Sequence, residues 1–582
     1  TWDSLEGPAL IAYVKSQALE GLAEVQEGAS EEALAGWRTS PADAPALSGK
    51  ACERILELAS VALADGDAEQ SAQLVRLVRT RARNRNSAFA GTTLLAEGAR
   101  RTGGEEAVAA IFRELPRTRL GGATVIFQIF QEQAQLDAQL AQTKTQIVSL
   151  DTAKSALYFS LLLPDVVQNR AMFLAAAEAV RAEHAEAPPL SEYAFSTVAL
   201  TDAADAQPVH VAVWDVGTNP ALFENQLYRN AAEEANGQDD DGNGLVDDLH
   251  GVVHEIGEHT HQDLLFDPGQ EVLAEYAPFL RGVMDLRAGI ATSDAAQRVL
   301  GLMRSASTPE RLEELDINLS AVGEWAHGTH VAGILLAGLP QAQLSIFRST
   351  WAGEARPYHH RGPTDEELAG ERANVDAIAA YINAHQVRVV NASLGFSLDY
   401  IASALRHEGD TYATEAAVME RAGVVQAHRR ATWERIFAAC PETLFVVAAG
   451  NSNQDVLEYG DTPADIVSAN LLVIGAVDRY GAWATFTNSN AERVRVFDFG
   501  VEVPSLVPDG STVPLSGTSM ASPNAANLAA KVLSVNPALT PAQVIALIEE
   551  TATPIAEPFG GRIVHEADAL ARARALRDEA SP

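Results

Sequence analysis

The chain has 582 residues, 47% hydrophobic and 21% charged, which suits about three domains or one large catalytic domain with an appendage and excludes a disordered or collagen-like polymer. A formal charge of −36 disfavours nucleic acid or an anionic membrane surface as partner, because phosphate binding needs clustered cations. Residues 1–200 hold 25 acidic and 18 basic residues, so −29 of that charge lies beyond residue 200.

From Leu5 to about His184 apolar residues recur at intervals of three and four, as in Ile55, Leu56, Leu58, Ala59 and Leu63, so this stretch is predicted to be helical. Polar breaks at Thr39–Ser48, Asp65–Gly66, Arg83–Ser87 and Thr102–Gly104 divide it into six to eight helices, with Gln131–Thr152 long and heptad-like. Arg76, Arg79, Arg81, Arg83 and Arg85 form a basic cluster, either a solvated helix face or a docking contact for the acidic remainder of the chain. No apolar run reaches the roughly 20 residues of a membrane span; Leu161–Val167 is interrupted by Pro164 and Asp165. The chain opens on Thr1 rather than Met, so the native start, and any signal peptide, is expected upstream. Pro188 and Pro189 stop any helix and mark a linker, giving an all-α N-terminal domain over residues 1–190 whose role the sequence does not indicate.

After the linker the pattern changes. Short β-branched runs at Val209–Trp214, Val389–Leu394, Leu444–Ala449 and Leu471–Val477, separated by helical patterns, predict buried strands of a mostly parallel α/β sheet in a domain spanning 191–582. Helical insertions are expected at about 263–320 and 400–440, both flanking the polar ends of strands, where such sheets bind ligands.

Three polar features stand at element ends. Asp215 closes the first strand; His327-Gly-Thr-His-Val-Ala-Gly333 is expected as a turn opening an apolar helix; Ser516-Gly-Thr-Ser-Met-Ala-Ser-Pro523 is a glycine turn entering a helix, with Pro523 expected in its first turn. Each alone has an ordinary structural reading: a buried acid, a packed histidine, an N-cap serine. Together they supply an acid, a base and a nucleophile, and a serine hydroxyl becomes nucleophilic only when an oriented base takes its proton. Ser519 at a helix N-terminus would also place orphan amides where an oxyanion forms.

With Val211-Ala-Val-Trp-Asp215, His327–Gly333, Val390-Asn-Ala-Ser-Leu-Gly395, Val446-Val-Ala-Ala-Gly-Asn451 and Gly517–Pro523 in this order, the chain over about 205–570 resembles the subtilisin-like serine proteases, the subtilases. The resemblance implies Asp215 as orienting acid, His327 as base and then acid, Ser519 as nucleophile and Asn451 as oxyanion-hole donor. It further implies that Ser393, Leu394 and Gly395 with Ala448, Ala449 and Gly450 line the pocket for the side chain before the scissile bond. It also implies that Leu539–Ile548 is the closing helix. The implied activity is a serine endopeptidase on extended polypeptide through an acyl-enzyme. Val216, Asn524 and Asn527 depart from the family's usual residues without removing a triad member. A latent protease-fold binding protein with its cleft blocked by the helical half, and an esterase using the same triad, stay open as alternatives.

Asp239-Asp-Asp-Gly-Asn-Gly-Leu-Val-Asp-Asp248 alternates oxygen ligands around a glycine turn, as Ca²⁺ requires. Asp239, Asp241, Asn243 and Asp247 are the expected side-chain ligands, with the Leu245 carbonyl added and Asp248 in reserve; similar loops occur in many bacterial subtilases. His254-Glu-Ile-Gly-Glu-His259 has HExxxH rather than HExxH spacing and argues against zinc. Cys52 and Cys440, far apart and without metal-ligand neighbours, indicate neither a disulfide scaffold nor a thiolate zinc site. A calcium loop and the resemblance together point to an extracytoplasmic location.

Overall fold

A computed structural model describes residues 2–83, 87–130, 132–146, 148–183, 198–201, 206–255, 263–306, 308–350, 362–406, 412, 414–555 and 560–580. Residues 2–183 form nine α-helices among the described residues: α1 (Pro8–Val25), α2 (Glu31–Thr39), α3 (Gly49–Ala64), α4 (Ala68–Arg81), α5 (Thr92–Arg113), α6 (Arg117–Ile129), α7 (Gln133–Thr143), α8 (Leu150–Leu157) and α9 (Leu163–Glu183). They close around their own core, with Phe112, Phe127 and Phe173 buried together. Three expectations change here, the first being that nine helices stand among the described residues where six to eight were expected. The long helix over Gln131–Thr152 is two helices, because Ser149 caps α8 through its hydroxyl and restarts the chain. The Thr102–Gly104 break is a kink inside α5, where Gly104 adopts φ 67. The expected linker at 185–189 lies outside the described residues.

Nine strands form the main sheet: β1 (Val209–Asp215), β2 (Gly251–Glu255), β3 (Ala342–Thr350), β4 (Val389–Ala392), β5 (Leu444–Ala448), β6 (Leu471–Val477), β7 (Val496–Phe499), and, after the separate hairpin β8 (Val503–Leu506) and β9 (Thr512–Leu515), the short β10 (Thr553–Pro554) and β11 (Arg562–Ile563). Their order is β10-β11-β7-β6-β5-β4-β1-β3-β2, and every pairing but β10–β11 is parallel. The α/β architecture expected from the strand runs is present. β2, β3 and β7 were not anticipated, since each carries a glycine, charged or polar residue that blurs the apolar run.

Alternation along β1 sorts the two faces. Val211 and Val213 point into one core with α13 (Pro309–Leu336) and α18 (Thr518–Val535); Ala212 and Trp214 point into another with α14 (Asp365–Ala384) and α16 (Glu415–Ala439). Every residue of α18 is buried, so this helix runs through the domain rather than across its surface. Between β2 and β3 the chain adds α10 (Gln270–Tyr276), α11 (Leu280–Arg287) and α12 (Asp294–Ser305) before α13. The insertion expected at about 263–320 is therefore three α-helices and the opening turns of a fourth. α15 (Leu398–Arg406) precedes α16; α17 (Val456–Tyr459), α19 (Pro541–Thr551) and α20 (Glu566–Ala580) complete the described elements.

Candidate active site

β1, β4 and β5 are adjacent, parallel and in register, Val211 beside Val389 and Val389 beside Leu444, so their carboxyl ends release Asp215, Ser393 and the Ala448–Asn451 segment on one edge of the sheet. The site assembles on that edge.

Asp215 is buried. Its Oδ1 accepts from the Val216 amide at 2.8 Å and from His327 Nδ1 at 2.7 Å, while Oδ2 has no partner. His327 does not open a helix as expected. It lies well inside α13, a continuous 28-residue helix capped at Thr308, and the histidine is held by the helix barrel instead of a turn. Close approach to β1 needs glycine at two points. A Cβ on Gly328 would stand 2.2 Å from the Gly217 carbonyl oxygen, and one on Gly217, at φ 141, would stand 2.6 Å from the Phe266 amide. Burial disfavours the imidazolium, but the charge and hydrogen bond of Asp215 outweigh it and hold His327 above the usual histidine range. His330, one turn on, has another job: its Nε2 contacts the Val513 carbonyl at 2.9 Å, and burial pulls it down to about 3.

Ser519 is the second residue of α18, preceded by Gly517 as N-cap. Its Oγ donates to the Ser393 carbonyl at 3.5 Å. Pro523 falls in the second turn, not the first, and lacks the amide that would bond the Ser519 carbonyl four residues back. The Ser393 hydroxyl takes that carbonyl at 3.0 Å, and it also accepts from Asn391 Nδ2 at 2.9 Å and contacts Ser522 Oγ at 3.0 Å. The end of β4 is thereby tied to the nucleophile's turn. Asn451 Oδ1 accepts from the amide and hydroxyl of Thr518, which fixes the side-chain flip and leaves Nδ2 as a free donor at the cavity that Asp215, His327, Ser393, Leu394 and Ser519 also border.

Gly395, Ala448, Ala449 and Gly450 do not line that cavity. Ala448 ends β5, the buried Ala449 continues it, and the Gly450 amide is bonded to Thr518 Oγ1 at 3.1 Å, so this segment supports Asn451 from behind. The unusual residues are accommodated locally: Asn524 Nδ2 donates to the Phe499 carbonyl, and Asn527 Nδ2 donates to the carbonyls of Leu335 and Ala337, fastening α18 to the end of α13.

The profile of the Subtilase family matches residues 298–575, a segment that holds His327, Asn451 and Ser519. Residues 298–575 belong to the subtilase family. Over 227 residues the chain is 30% identical to the alkaline serine exoprotease A of Vibrio alginolyticus, covering 39% of this chain and 35% of that protein. Over 209 residues it is 32% identical to an alkaline extracellular protease of Yarrowia lipolytica, covering 34% and 44%. The chain thus spans less than half the length of these two relatives. A cold adapted subtilisin-like serine proteinase of known structure overlaps 62% of this chain and 90% of its own at 18% identity, with a TM-score of 0.33. The helices α1–α12 and the strand that delivers Asp215 precede most or all of the matched subtilase segment.

In the aspartate-rich loop, Asp241 meets Asp248 and Glu233, one oxygen of each lying within 4.8 Å of the others. Glu233 is 1% exposed and its Oε2 has no partner, although Oε1 accepts from the amides of Asp240 and Asp241. The other expected ligands are used within the loop. Asp239 accepts from the amides of Gly242, Asn243 and Gly244; Asp247 accepts from those of Asn236 and Gly237; Asn243 Oδ1 accepts from the Leu245 amide. Glu233 escaped the sequence pattern because it stands outside the alternating run. The HExxxH stretch lies largely outside the described residues. Cys52 and Cys440 are free, buried in separate cores. In the arginine cluster Arg79 pairs with Glu114 and Arg81 with the Pro45 carbonyl, both within the helical half.

Proposed function

We propose that the chain is a serine endopeptidase cleaving extended polypeptide through an acyl-enzyme. The observation that carries this is the Asp215–His327 hydrogen bond of 2.7 Å on the same cavity as Ser519 and the free Nδ2 of Asn451. Asp215 holds Nδ1 protonated, which leaves Nε2 as the base. Rotation of the Ser519 side chain away from the Ser393 carbonyl aims its hydroxyl at that nitrogen. As Oγ attacks the scissile carbonyl, its proton passes to Nε2, and the oxyanion is met by Asn451 Nδ2 and the orphan Ser519 amide at the α18 N-terminus. His327 then returns the proton to the leaving amine, and water, activated by the same nitrogen, releases the acid from Ser519. Ser393, Leu394 and Gly395 offer an edge for the substrate backbone on the acyl side, with Ala448, Ala449 and Gly450 behind it.

The same reading divides the chain into a helical part, 1–190, and a catalytic part, 191–582, with inserted helices at about 263–320 and 400–440. It also places Ca²⁺ in the aspartate-rich loop. An unpartnered, buried Glu233 oxygen beside two further carboxylates is the donor set of a hard cation, so the residues present fit, with Glu233, Asp241 and Asp248 as holders and Asp239, Asn243, Leu245 and Asp247 shaping the turn. The ion supplies stability, not chemistry. Among the described residues no helix is long and apolar enough to cross a membrane, and the Yarrowia relative is called extracellular, which supports an extracytoplasmic setting.

A fluorophosphonate probe tests the activity. The full chain labels and its Ser519→Ala variant does not; absence of label on both overturns the reading in favour of a latent protease-fold binding protein.

A further inference from the structure

The cavity at the triad has a volume of about 640 Å³, far more than catalytic side chains need, and extends from Ser393 and Leu394 to the inserted helices and α6. Its distant walls are apolar: Leu319 on α13, Met284 on α11, Val299 and Met303 on α12, and Val125 and Ile129 on α6. Three of these, Met284, Val125 and Ile129, and the neighbouring Leu280 precede residue 298 and so lie outside the stretch shared with the family.

Position on α13 says which part of a substrate this chamber meets. Asp316, Ser320, Gly323, Glu324 and His327 recur at three and four along the cavity, one stripe of the helix, so the chamber runs back from the imidazole. On its other side stand Leu515, Ser516 and Met520, next to the nucleophile. The imidazole gives its proton to the departing amine, so the leaving half of the substrate stands where His327 is, opposite the Ser393 edge. A side chain just past the scissile bond would therefore enter the chamber.

The α6 wall is fixed. A Cβ on Gly121 would stand 2.6 Å from the Gly289 carbonyl oxygen, so the helix rests backbone to backbone on the turn that ends α11. Arg119, 5% exposed, donates through Nη2 to the Trp483 carbonyl at 2.8 Å, and Gln297 donates to Gln128 at 2.9 Å.

We infer that this chamber receives a large apolar side chain, of the size of Leu, Met or Phe, from the residue immediately after the scissile bond, and that α6 makes the helical half a specificity element of the protease. The inference rests on the endopeptidase reading.

Internally quenched peptides that differ only after the scissile bond test it on the full chain. Phe or Leu there raises kcat/KM about tenfold or more over Gly, the discrimination expected of a filled apolar pocket. Replacing Val125→Ser together with Ile129→Ser brings Phe to within about threefold of Gly. If that double variant does not fold, Met303→Ala on the opposite wall shifts the preference from Phe towards a still larger residue, Trp. Equal rates for all peptides, or fastest cleavage with Lys or Asp, overturn the inference while leaving the protease reading intact. No cleavage and no fluorophosphonate label overturn both.

Discussion

A base must be neutral to accept the Ser519 proton, and Asp215 holds His327 above its usual range. The acid limb of kcat/KM should therefore have its midpoint above pH 6.5, activity rising as the imidazole loses its proton. Asp215→Asn should cost about 10⁴-fold in kcat and move that limb down, read from peptide hydrolysis against pH. Asn451→Ala, which removes one oxyanion donor, should lower kcat by about 10²–10³-fold with little change in KM. Two other histidines affect stability instead. Burial lowers His210 to about 4 and His330 to about 3, from 6.5. The unfolded chain takes up protons at both as the pH falls through 6.5 and the folded one does not, so their contribution is complete above pH 6.5 and shrinks towards pH 4. His330→Gln, whose amide still reaches the Val513 carbonyl, should reduce the slope of unfolding free energy in that window by about 1.4 kcal/mol per pH unit.

At the scale of elements, the site is three contacts: α13 against β1, β4 against α18, and the aspartate-rich loop against itself. The first depends on glycine. Gly328→Ala would press a methyl on the Gly217 carbonyl, and we expect both a lower melting temperature and a lost Asp215–His327 hydrogen bond, seen as a downfield proton absent from the NMR spectrum. In the third, Glu233 is the residue to change. Calcium should raise the melting temperature of the parent and chelator lower it; Glu233→Gln should abolish the difference while the chain still folds, since the amide oxygen can still accept from the Asp240 and Asp241 amides and its NH2 can donate to the neighbouring carboxylates.

Over the whole molecule, polar anchors join the helical half to the rest, while Arg79 and Arg81 of the arginine cluster are engaged within the helical half. Arg119 meets the Trp483 carbonyl, the Lys50 amide donates to Glu458 at 3.1 Å, and Arg406 lies 3.4 Å from Asp151. Arg119 is held below its normal basicity by burial, to about 10, and remains cationic at neutral pH. Arg119→Ala should cost about 1.5–3 kcal/mol, the worth of a charged hydrogen bond, and let α6 loosen before the sheet unfolds, visible as earlier hydrogen exchange over 117–129.

Sequence alone settled what depends on neighbours along the chain. Strand runs such as Leu444–Ala448 and Leu471–Val477 carry their β-branched pattern locally, and the segments around Asp215, His327, Asn451 and Ser519 are contiguous signatures, so fold class and candidate catalytic residues were both legible. Even the helical character of 1–183 needed only periodicity. What it left undecided were matters of distance across the chain. His327 sits inside a helix because α13 packs against α18, β1 and the inserted helices, which no local signal near Gly328 reveals. Glu233 joins Asp241 and Asp248 only once the loop folds back, and Val125 and Ile129 reach the catalytic cavity from about 200 residues before His327 and about 400 before Ser519. Those placements follow from close packing between surfaces far apart in sequence, which periodicity and spacing do not encode.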